Sequence, residues 1–195
     1  MRTKPAINTE ETDYLSHLAS REGGEITPEE VSQVLQEVRA FVLGDDDPRV
    51  RNALYRTIAQ GRKDVVRLSG AEVGRTGKLP AVDKKNGTPV VVCENGREVD
   101  VVAELISRQG EEGSVFLLDH NMPEGPCGLD IFRERNSGMP PRTARVLHSG
   151  TIPNDHPEYL RRGILDAAIQ KGVSGEEVRA TVARAFLGRN FKSPK

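Results

Sequence analysis

The feature that most constrains the fold is a set of four apolar runs, far apart in the chain, that each end on polar residues. The runs are FVLGDDDP (41–48), SVFLLDHNMP (114–123), ARVLHSG (144–150) and LDAAIQKG (165–172). If they are parallel strands of one sheet, the polar residues that follow them lie at the same edge, where open α/β sheets bind ligands. We therefore expect a single crevice, suited to a metal ion and a phosphoryl group, that holds Asp45, Asp46, Asp119, Ser149 and Lys171.

The remaining patterns predict an α/β protein that begins with two helices. A first helix is predicted over about 9–22, and Thr27, Pro28 and Glu30 form the capping signature of a second. Five strands alternating with helices follow, at 41–43, 89–93, 115–118, 144–148 and 165–169. Such alternation requires right-handed crossovers and a parallel sheet with helices on both faces. Within residues 62–88 a short β-like piece, at 65–68, precedes a stretch without a period, and we interpret most of this segment as an inserted loop or hairpin.

Composition excludes several classes of function. The chain has 28 basic and 29 acidic side chains, so no basic field attracts nucleic acid. Trp is absent and aromatic residues make up 4%, which argues against a stacking platform for single strands. Cys93 and Cys127 lack metal-site spacing and suit free thiols in a reducing compartment. With no signal peptide and no spanning segment in the sequence, we expect a cytoplasmic protein without a membrane partner.

Each polar residue also has a simpler explanation when it is taken alone. The acidic run 45–47 can cap the helix that follows it. Ser149 can belong to a turn, and Lys171 can be a solvated lysine at a strand end. Asp119 differs, because it ends a strand predicted to be buried on both faces, where a carboxylate needs a partner or a function.

Taken in order, these segments resemble the receiver domain of two-component response regulators. The resemblance runs from about Arg39 to Leu187 and is carried by LLDHNMP…GLDIF, FVLGDDDPRVRNAL, CENGREVDVVAEL and the spacing from Ser149 to Lys171. It implies a flavodoxin-like, doubly wound sheet of five parallel strands in the order 2-1-3-4-5. The domain prediction is then an N-terminal helical extension (1–38), a receiver domain (39–190) with the insertion at 62–88, and a tail (191–195).

The resemblance also implies a role for each site residue. Asp119 would accept a phosphoryl group from a histidine of a sensor kinase or a phosphotransfer protein. Ser149 would contact the phosphoryl oxygens, and Lys171 would pair with their charge. The implied Mg²⁺ ligands are Asp45, Asp46, Asp119 and the backbone carbonyl of Asn121. Such a protein is a phosphoacceptor rather than an enzyme, with at most a slow Mg²⁺-dependent self-dephosphorylation.

Some positions depart from the family pattern. Ala168 stands where receivers often have an aromatic ring that moves on phosphorylation, and Gly172 replaces the usual proline. The loop 123–128 is also a residue longer. The chain ends eight residues after Leu187, so we expect no DNA-binding output domain and a signal passed by protein contacts to an unknown downstream protein. The N-terminal helices could serve as a dimerisation element, a partner site or a lid.

Three other functions share part of this pattern. A degenerate receiver would bind partners without being phosphorylated; Ala168 and Gly172 favour it, whereas the full set of acidic residues argues against it. A phosphatase of the haloacid dehalogenase type needs a second Asp two residues after the nucleophile, where this chain has Asn121. A flavodoxin-like cofactor binder needs a Gly- or Thr-rich phosphate loop after the first strand, which is absent from the sequence. His17 lies on the first predicted helix but lacks the pattern of a phosphotransfer module.

Overall fold

The computed structural model describes residues 9–21, 25–79, 87–109, 113–135, 138–140 and 142–191. These residues form six strands: β1 (Ala40–Gly44), β2 (Val65–Ser69), β3 (Thr88–Cys93), β4 (Ser114–Leu118), β5 (Ala144–Ser149) and β6 (Ala167–Gln170). They also form eight helices: α1 (Thr9–Ser20), α2 (Pro28–Gln36), α3 (Pro48–Ala59), α4 (Gly70–Thr76), α5 (Gly96–Gln109), α6 (Gly128–Glu134), α7 (His156–Arg161) and α8 (Gly175–Asn190).

All six strands belong to one parallel sheet in the order β2-β3-β1-β4-β5-β6. Every residue of β1, β3, β4 and β5 is buried, because helices cover both faces of these strands. The prediction of an α/β fold with a parallel sheet is confirmed. The predicted order 2-1-3-4-5 corresponds to β3-β1-β4-β5-β6, so the prediction of five strands omitted β2.

The prediction of an inserted loop or hairpin at 62–88 is wrong. This segment contributes β2, which pairs in parallel with β3 at the edge of the sheet, and helix α4. As an edge strand β2 is largely exposed, with Val66 40% accessible, so it has neither the apolar run of a central strand nor a strict alternation. Helix α4 was hidden because it is short and contains two glycines. Residues 80–86 of this segment lie outside the described residues.

Two groups of helices cover the two faces of the sheet. Helices α1, α2, α3 and α8 bury their apolar side chains together with Phe41, Leu43, Val115 and Leu117. Helices α4 to α7 pack with Val42, Phe116 and Leu118 on the opposite face. The N-terminal helices α1 and α2 therefore share a hydrophobic core with the sheet.

Helix ends follow local sequence signals. The predicted capping box is present at α2, where Glu30 N donates to Thr27 Oγ1 and Thr27 N donates to the Glu30 carboxylate. The predicted end of the first helix at residue 22 and the outermost parts of the predicted extension and tail, 1–8 and 192–195, lie outside the described residues. No helix in the described ranges has the length and apolar character needed to cross a lipid bilayer.

Candidate functional site

The acidic site begins where β1 and β4 end side by side. Gly44 is the register partner of Leu118, and the N–H of Asp119 donates a 2.7 Å hydrogen bond to Gly44 O. The next residue on each strand is an aspartate, so Asp45 and Asp119 are neighbours at the carboxyl edge of the sheet. Asp45, Asp46 and Asp119 each place a carboxylate oxygen within 4.8 Å of the others. Asp45 and Asp119 are buried, whereas Asp46 is exposed.

Lys171 brings a positive charge to this acidic cluster. It follows β6, and its N–H donates a 2.9 Å bond to Ser149 O, which fixes its position beside β5. Its Nζ lies 2.7 Å from Asp119 Oδ2 and 2.8 Å from Asp45 Oδ2. Burial alone would lower the pKa of Lys171, but the two carboxylates outweigh it and raise that pKa. Burial raises the pKa of Asp45, and the hydrogen bond from Lys171 opposes that shift only in part.

The cluster fits a divalent cation. Asp119 Oδ1 is buried and accepts no hydrogen bond from any residue the structure describes. A buried carboxylate oxygen without a partner is costly, and an ion of the Mg²⁺ type prefers oxygen ligands of this kind. Three carboxylates and one ammonium also leave two formal negative charges, which a divalent cation would balance.

The other two predicted site residues lie at the same edge of the sheet. Ser149 is the last residue of β5 and is fully buried, and its Oγ accepts a 3.4 Å hydrogen bond from the N–H of Thr151. Asn121 is exposed in the loop after β4, two residues beyond Asp119. The role of Ser149 as a contact of the phosphoryl oxygens and the role of Asn121 as a metal ligand stay predictions.

Sequence reasoning missed Arg51, which binds the backbone of the loop that carries Asp45 and Asp46. This buried side chain on α3 donates from Nη1 to Asp45 O at 2.7 Å and to Asp46 O at 2.9 Å, and Nη2 contacts Glu94 Oε1 at 2.9 Å. A signal for it existed, since residue 51 lies on the same helix face as the buried Leu54 and Ile58. A charged residue at such a position needs polar partners.

His148 is a second residue that was missed. The register pairs Leu118 with Leu147, so the next residues, Asp119 and His148, are neighbours across β4 and β5. Burial and the nearby Lys171 charge lower the pKa of His148 to about 4, so the imidazole is neutral at pH 7. A histidine inside the apolar run ARVLHS was the available signal.

The loop between β4 and α6 is fixed by the backbone of α5. The carbonyls of Pro123 and Glu124 accept hydrogen bonds from the N–H groups of Gly96 and Arg97, at 3.1 and 2.8 Å. Glu124, in this loop, adopts a positive φ of 50°, a left-handed conformation that few residues other than glycine adopt. At the far end of the loop, a Cβ on Gly128 would lie 2.2 Å from Asp119 O, so α6 begins directly against the backbone of Asp119.

The turn after Lys171 explains one departure from the family pattern. Gly172 has a φ of 100°, which proline cannot adopt because its ring holds φ near −65°. A glycine at this position therefore agrees with the local backbone. Ala168, on β6, is half-buried and packs on the side of α4 to α7.

Comparisons with known proteins point to a single fold. No family model and no curated protein matches the chain. A DNA-binding response regulator of the LuxR family from Staphylococcus aureus is 18% identical, with a TM-score of 0.50 over 76% of this chain and 99% of that one. The signal receiver domain of a putative Luxo repressor protein from Vibrio parahaemolyticus is 14% identical, with a TM-score of 0.51 over 76% and 90%.

A third solved structure, described as an adenylate cyclase from Rhodopirellula baltica, is 17% identical, with a TM-score of 0.54 over 78% of this chain and 90% of that one. At such low identity these similarities concern the fold. They agree with the parallel sheet and with the placement of helices on both of its faces. The chain therefore has the fold of response regulator receiver domains.

Proposed function

We propose that this protein is a phosphoryl-accepting receiver of a two-component or phosphorelay system, with Asp119 as the acceptor. One observation carries the proposal: Lys171 holds one oxygen of the buried Asp119 carboxylate, and the other oxygen, beside Asp45 and Asp46, has no hydrogen-bond partner among the residues that the structure describes. A nucleophile of a phosphoryl transfer needs a free oxygen, a nearby cation and a fixed position. The receiver fold makes such a transfer the simplest use of this arrangement.

In the proposed reaction a carboxylate oxygen of Asp119 attacks the phosphorus of a phosphohistidine on a sensor kinase or phosphotransfer protein. A P–O bond forms as the P–N bond breaks, and the bonding electron pair stays with the imidazole nitrogen. The proposed Mg²⁺ ligands are Asp45, Asp46, Asp119 and the backbone carbonyl of Asn121. Bound Mg²⁺ would supply positive charge for the phosphoryl oxygens. Lys171 contributes a second positive charge, and Ser149 offers a hydroxyl donor at the end of β5.

After transfer, the product is an acyl phosphate on Asp119 with additional negative charge and acceptor oxygens. These would draw the Ser149 hydroxyl and the loop after β5 towards the site, and so change the protein surface there. We infer that the signal passes by protein contacts to a downstream partner. The protein is a phosphoacceptor, with at most a slow Mg²⁺-dependent loss of its own phosphoryl group.

Phosphodonor mass spectrometry tests this proposal. With acetyl phosphate and Mg²⁺ the full chain should gain one phosphoryl mass that hydroxylamine removes, and Asp119→Asn should gain none. Asp13→Asn, an exposed aspartate on α1, is the matched control and should react like the wild type. Absence of any mass gain in the wild type, or an equal gain in Asp119→Asn, would overturn the assignment.

A second candidate is a degenerate receiver that binds partners without being phosphorylated. It is favoured by the double ion pair of Lys171, which already engages both buried carboxylates, and by Ala168 in place of an aromatic ring. Beryllium fluoride with Mg²⁺ separates the two candidates, because it mimics the phosphoryl group. Tight binding that Asp119→Asn abolishes supports the phosphorylatable receiver, whereas no binding supports the degenerate form.

A further inference from the structure

A cavity of about 450 Å³ lies next to the acidic site, at the carboxyl ends of β2 and β3. Its polar lining comes from Arg51, Asn52, Arg67, Ser69 and Glu94. Two of these residues lie on β2, so the cavity exists because of the edge strand that residues 62–88 add to the sheet. Its volume is within the usual range for small-ligand sites, and the carboxyl edge of a parallel sheet is where such ligands bind.

The two guanidinium groups of this cavity are held in place before any ligand arrives. Arg67 lies over the ring of Tyr55, 4.8 Å from its centroid, and donates a 2.7 Å hydrogen bond to Asn52 Oδ1. Among the residues that the structure describes, these contacts of Arg67 are with neutral groups, so its charge is not cancelled locally. Arg51 is fixed by two backbone carbonyls and by Glu94.

A hydroxyl donor completes the polar wall. Ser69 precedes α4 in the N-cap position, yet its side chain makes no capping hydrogen bond there. Two guanidinium groups against the single carboxylate of Glu94 leave the lining with a positive formal charge. Pro48, Leu68 and Val92 give the cavity an apolar wall as well. The site thus combines charged donors for an anion with a surface for an uncharged moiety.

We propose that this cavity binds a small organic phosphate, a phosphate monoester with a sugar or nucleoside portion. Guanidinium groups donate paired hydrogen bonds to phosphate oxygens, and such charge-assisted bonds are about twice as strong as neutral ones. The Ser69 hydroxyl adds a donor for a third oxygen, and the apolar wall accommodates the organic part. This site is separate from Asp119, so the inference does not depend on phosphorylation of that residue.

Arg51 connects the cavity to the acidic site. The same guanidinium that faces the cavity donates to the backbone carbonyls of Asp45 and Asp46. A ligand that draws on Arg51 would therefore act on the loop that positions two of the three carboxylates. The bound phosphate would be an effector of the acidic site rather than its substrate.

Isothermal titration with adenosine 5′-monophosphate, in the absence of divalent cations, tests the inference on the full chain. We expect saturable 1:1 binding that Arg67→Gln weakens about tenfold or more and that Ser69→Ala weakens by a smaller factor. Arg184→Gln, which changes an exposed arginine on α8, a helix that contributes no residue to the cavity lining, should leave the affinity unchanged. Asp119→Asn should not weaken the binding, which separates this cavity from the acidic site.

Matched ligands identify the recognised group. Adenosine, which lacks the phosphate, and adenosine-5′-carboxylate should each bind at least about tenfold more weakly than the monophosphate. Failure to saturate up to about 10 mM would overturn the proposal. Equal binding of adenosine-5′-carboxylate and the monophosphate would also overturn it. The same holds if Arg67→Gln leaves the affinity for the monophosphate unchanged while Asp119→Asn abolishes binding. Because no phosphodonor is present, these results are independent of the test of Asp119 as an acceptor.

Discussion

The ammonium of Lys171 donates a 2.7 Å hydrogen bond to Oδ2 of Asp119, a residue 52 positions earlier in the chain. The contact joins the ends of β4 and β6, which are separated in the sheet by β5. It places a cation beside a buried carboxylate, which burial deprives of solvation by water and which therefore needs a counter-charge. The stability of the sheet edge and the chemistry of the site therefore depend on the same charges.

Replacement of Lys171 by methionine should destabilise the protein when no divalent cation is present. The change leaves Asp45 and Asp119 as two buried like charges without their ammonium. Breaking a fully buried pair costs about 3–5 kcal/mol, and since 23% of the Lys171 side chain is exposed we expect about 2 kcal/mol. Urea unfolding with and without Mg²⁺ measures this, and Mg²⁺ should recover part of the loss.

The matched control for this variant is Lys63→Met, which removes an exposed lysine. It should change the free energy of unfolding by less than about 0.5 kcal/mol. A Lys171→Met protein as stable as Lys63→Met in metal-free buffer would contradict the role of Lys171 as the counter-ion.

Asp45→Asn should stabilise the metal-free protein at pH 7, by an amount on the order of 1 kcal/mol. Burial raises the pKa of Asp45 above its ordinary 3.8, so the folded state holds this proton more tightly than the unfolded state. The contribution of Asp45 to the free energy of unfolding therefore falls as pH rises from about 3.8, the ordinary pKa, through the raised pKa of the folded state. It is lowest when the pH is above both pKa values. The stabilisation produced by Asp45→Asn should therefore decrease as the pH is lowered from above the raised pKa to about 3.8.

Asp64→Asn should behave in the opposite way. Hydrogen bonding from Arg62 lowers the pKa of Asp64 below 3.8, so its contribution is present above pH 3.8 and is lost as pH falls through the lowered value. Because 55% of the Asp64 side chain is exposed, the loss at pH 7 should stay within about 1 kcal/mol. Urea unfolding of both variants across pH 3 to 7 checks the signs, and two curves of the same sign would refute this account.

The central strands could be predicted because they are buried on both faces and are therefore mainly apolar. β1 and β4 illustrate this, since every residue of both is buried. β2 could not be found in the same way, because an edge strand with an exposed Val66 and Arg67 carries a mixed pattern that also fits a loop. Its pairing with β3 depends on tertiary contacts that no local pattern specifies.

The sequence could predict which residues lie together at the carboxyl edge of the sheet, but not the contacts between them. Placing Asp45, Asp119 and Lys171 at the carboxyl ends of parallel strands follows from topology alone. The distances from Lys171 Nζ to both carboxylates depend on the register of β4, β5 and β6, which the sequence does not determine. The helical spacing puts Arg51 on the buried face of α3, but two of its three acceptors are backbone carbonyls, which the sequence does not reveal.

Gly128→Ala should disturb both stability and the acidic site. The added Cβ would lie 2.2 Å from Asp119 O, which is backbone and cannot rotate away. We expect a loss of about 2–4 kcal/mol in the free energy of unfolding and a slower phosphoryl gain from acetyl phosphate. Gly188→Ala on α8 is the control: no described residue has an atom within 4 Å of its added Cβ, so it should stabilise by about 0.5–1 kcal/mol. Equal effects of the two substitutions would contradict the close packing of α6 on Asp119.

The two thiols should differ in reactivity in the folded protein. Cys93 lies fully buried in β3, and burial strongly raises the pKa of its thiol, so both access and thiolate are lacking. Cys127 is half-buried at the start of α6; burial and its hydrogen bond to Asp130 raise its pKa too, but solvent reaches it. Ellman's reagent at pH 8 should therefore modify one thiol per folded chain and two in guanidinium chloride. In Cys127→Ser, where a hydroxyl oxygen replaces the sulfur that caps α6, the remaining thiol should react only as fast as the protein unfolds. Rapid labelling of Cys93 in that variant would show that β3 is accessible, contrary to its place inside the sheet.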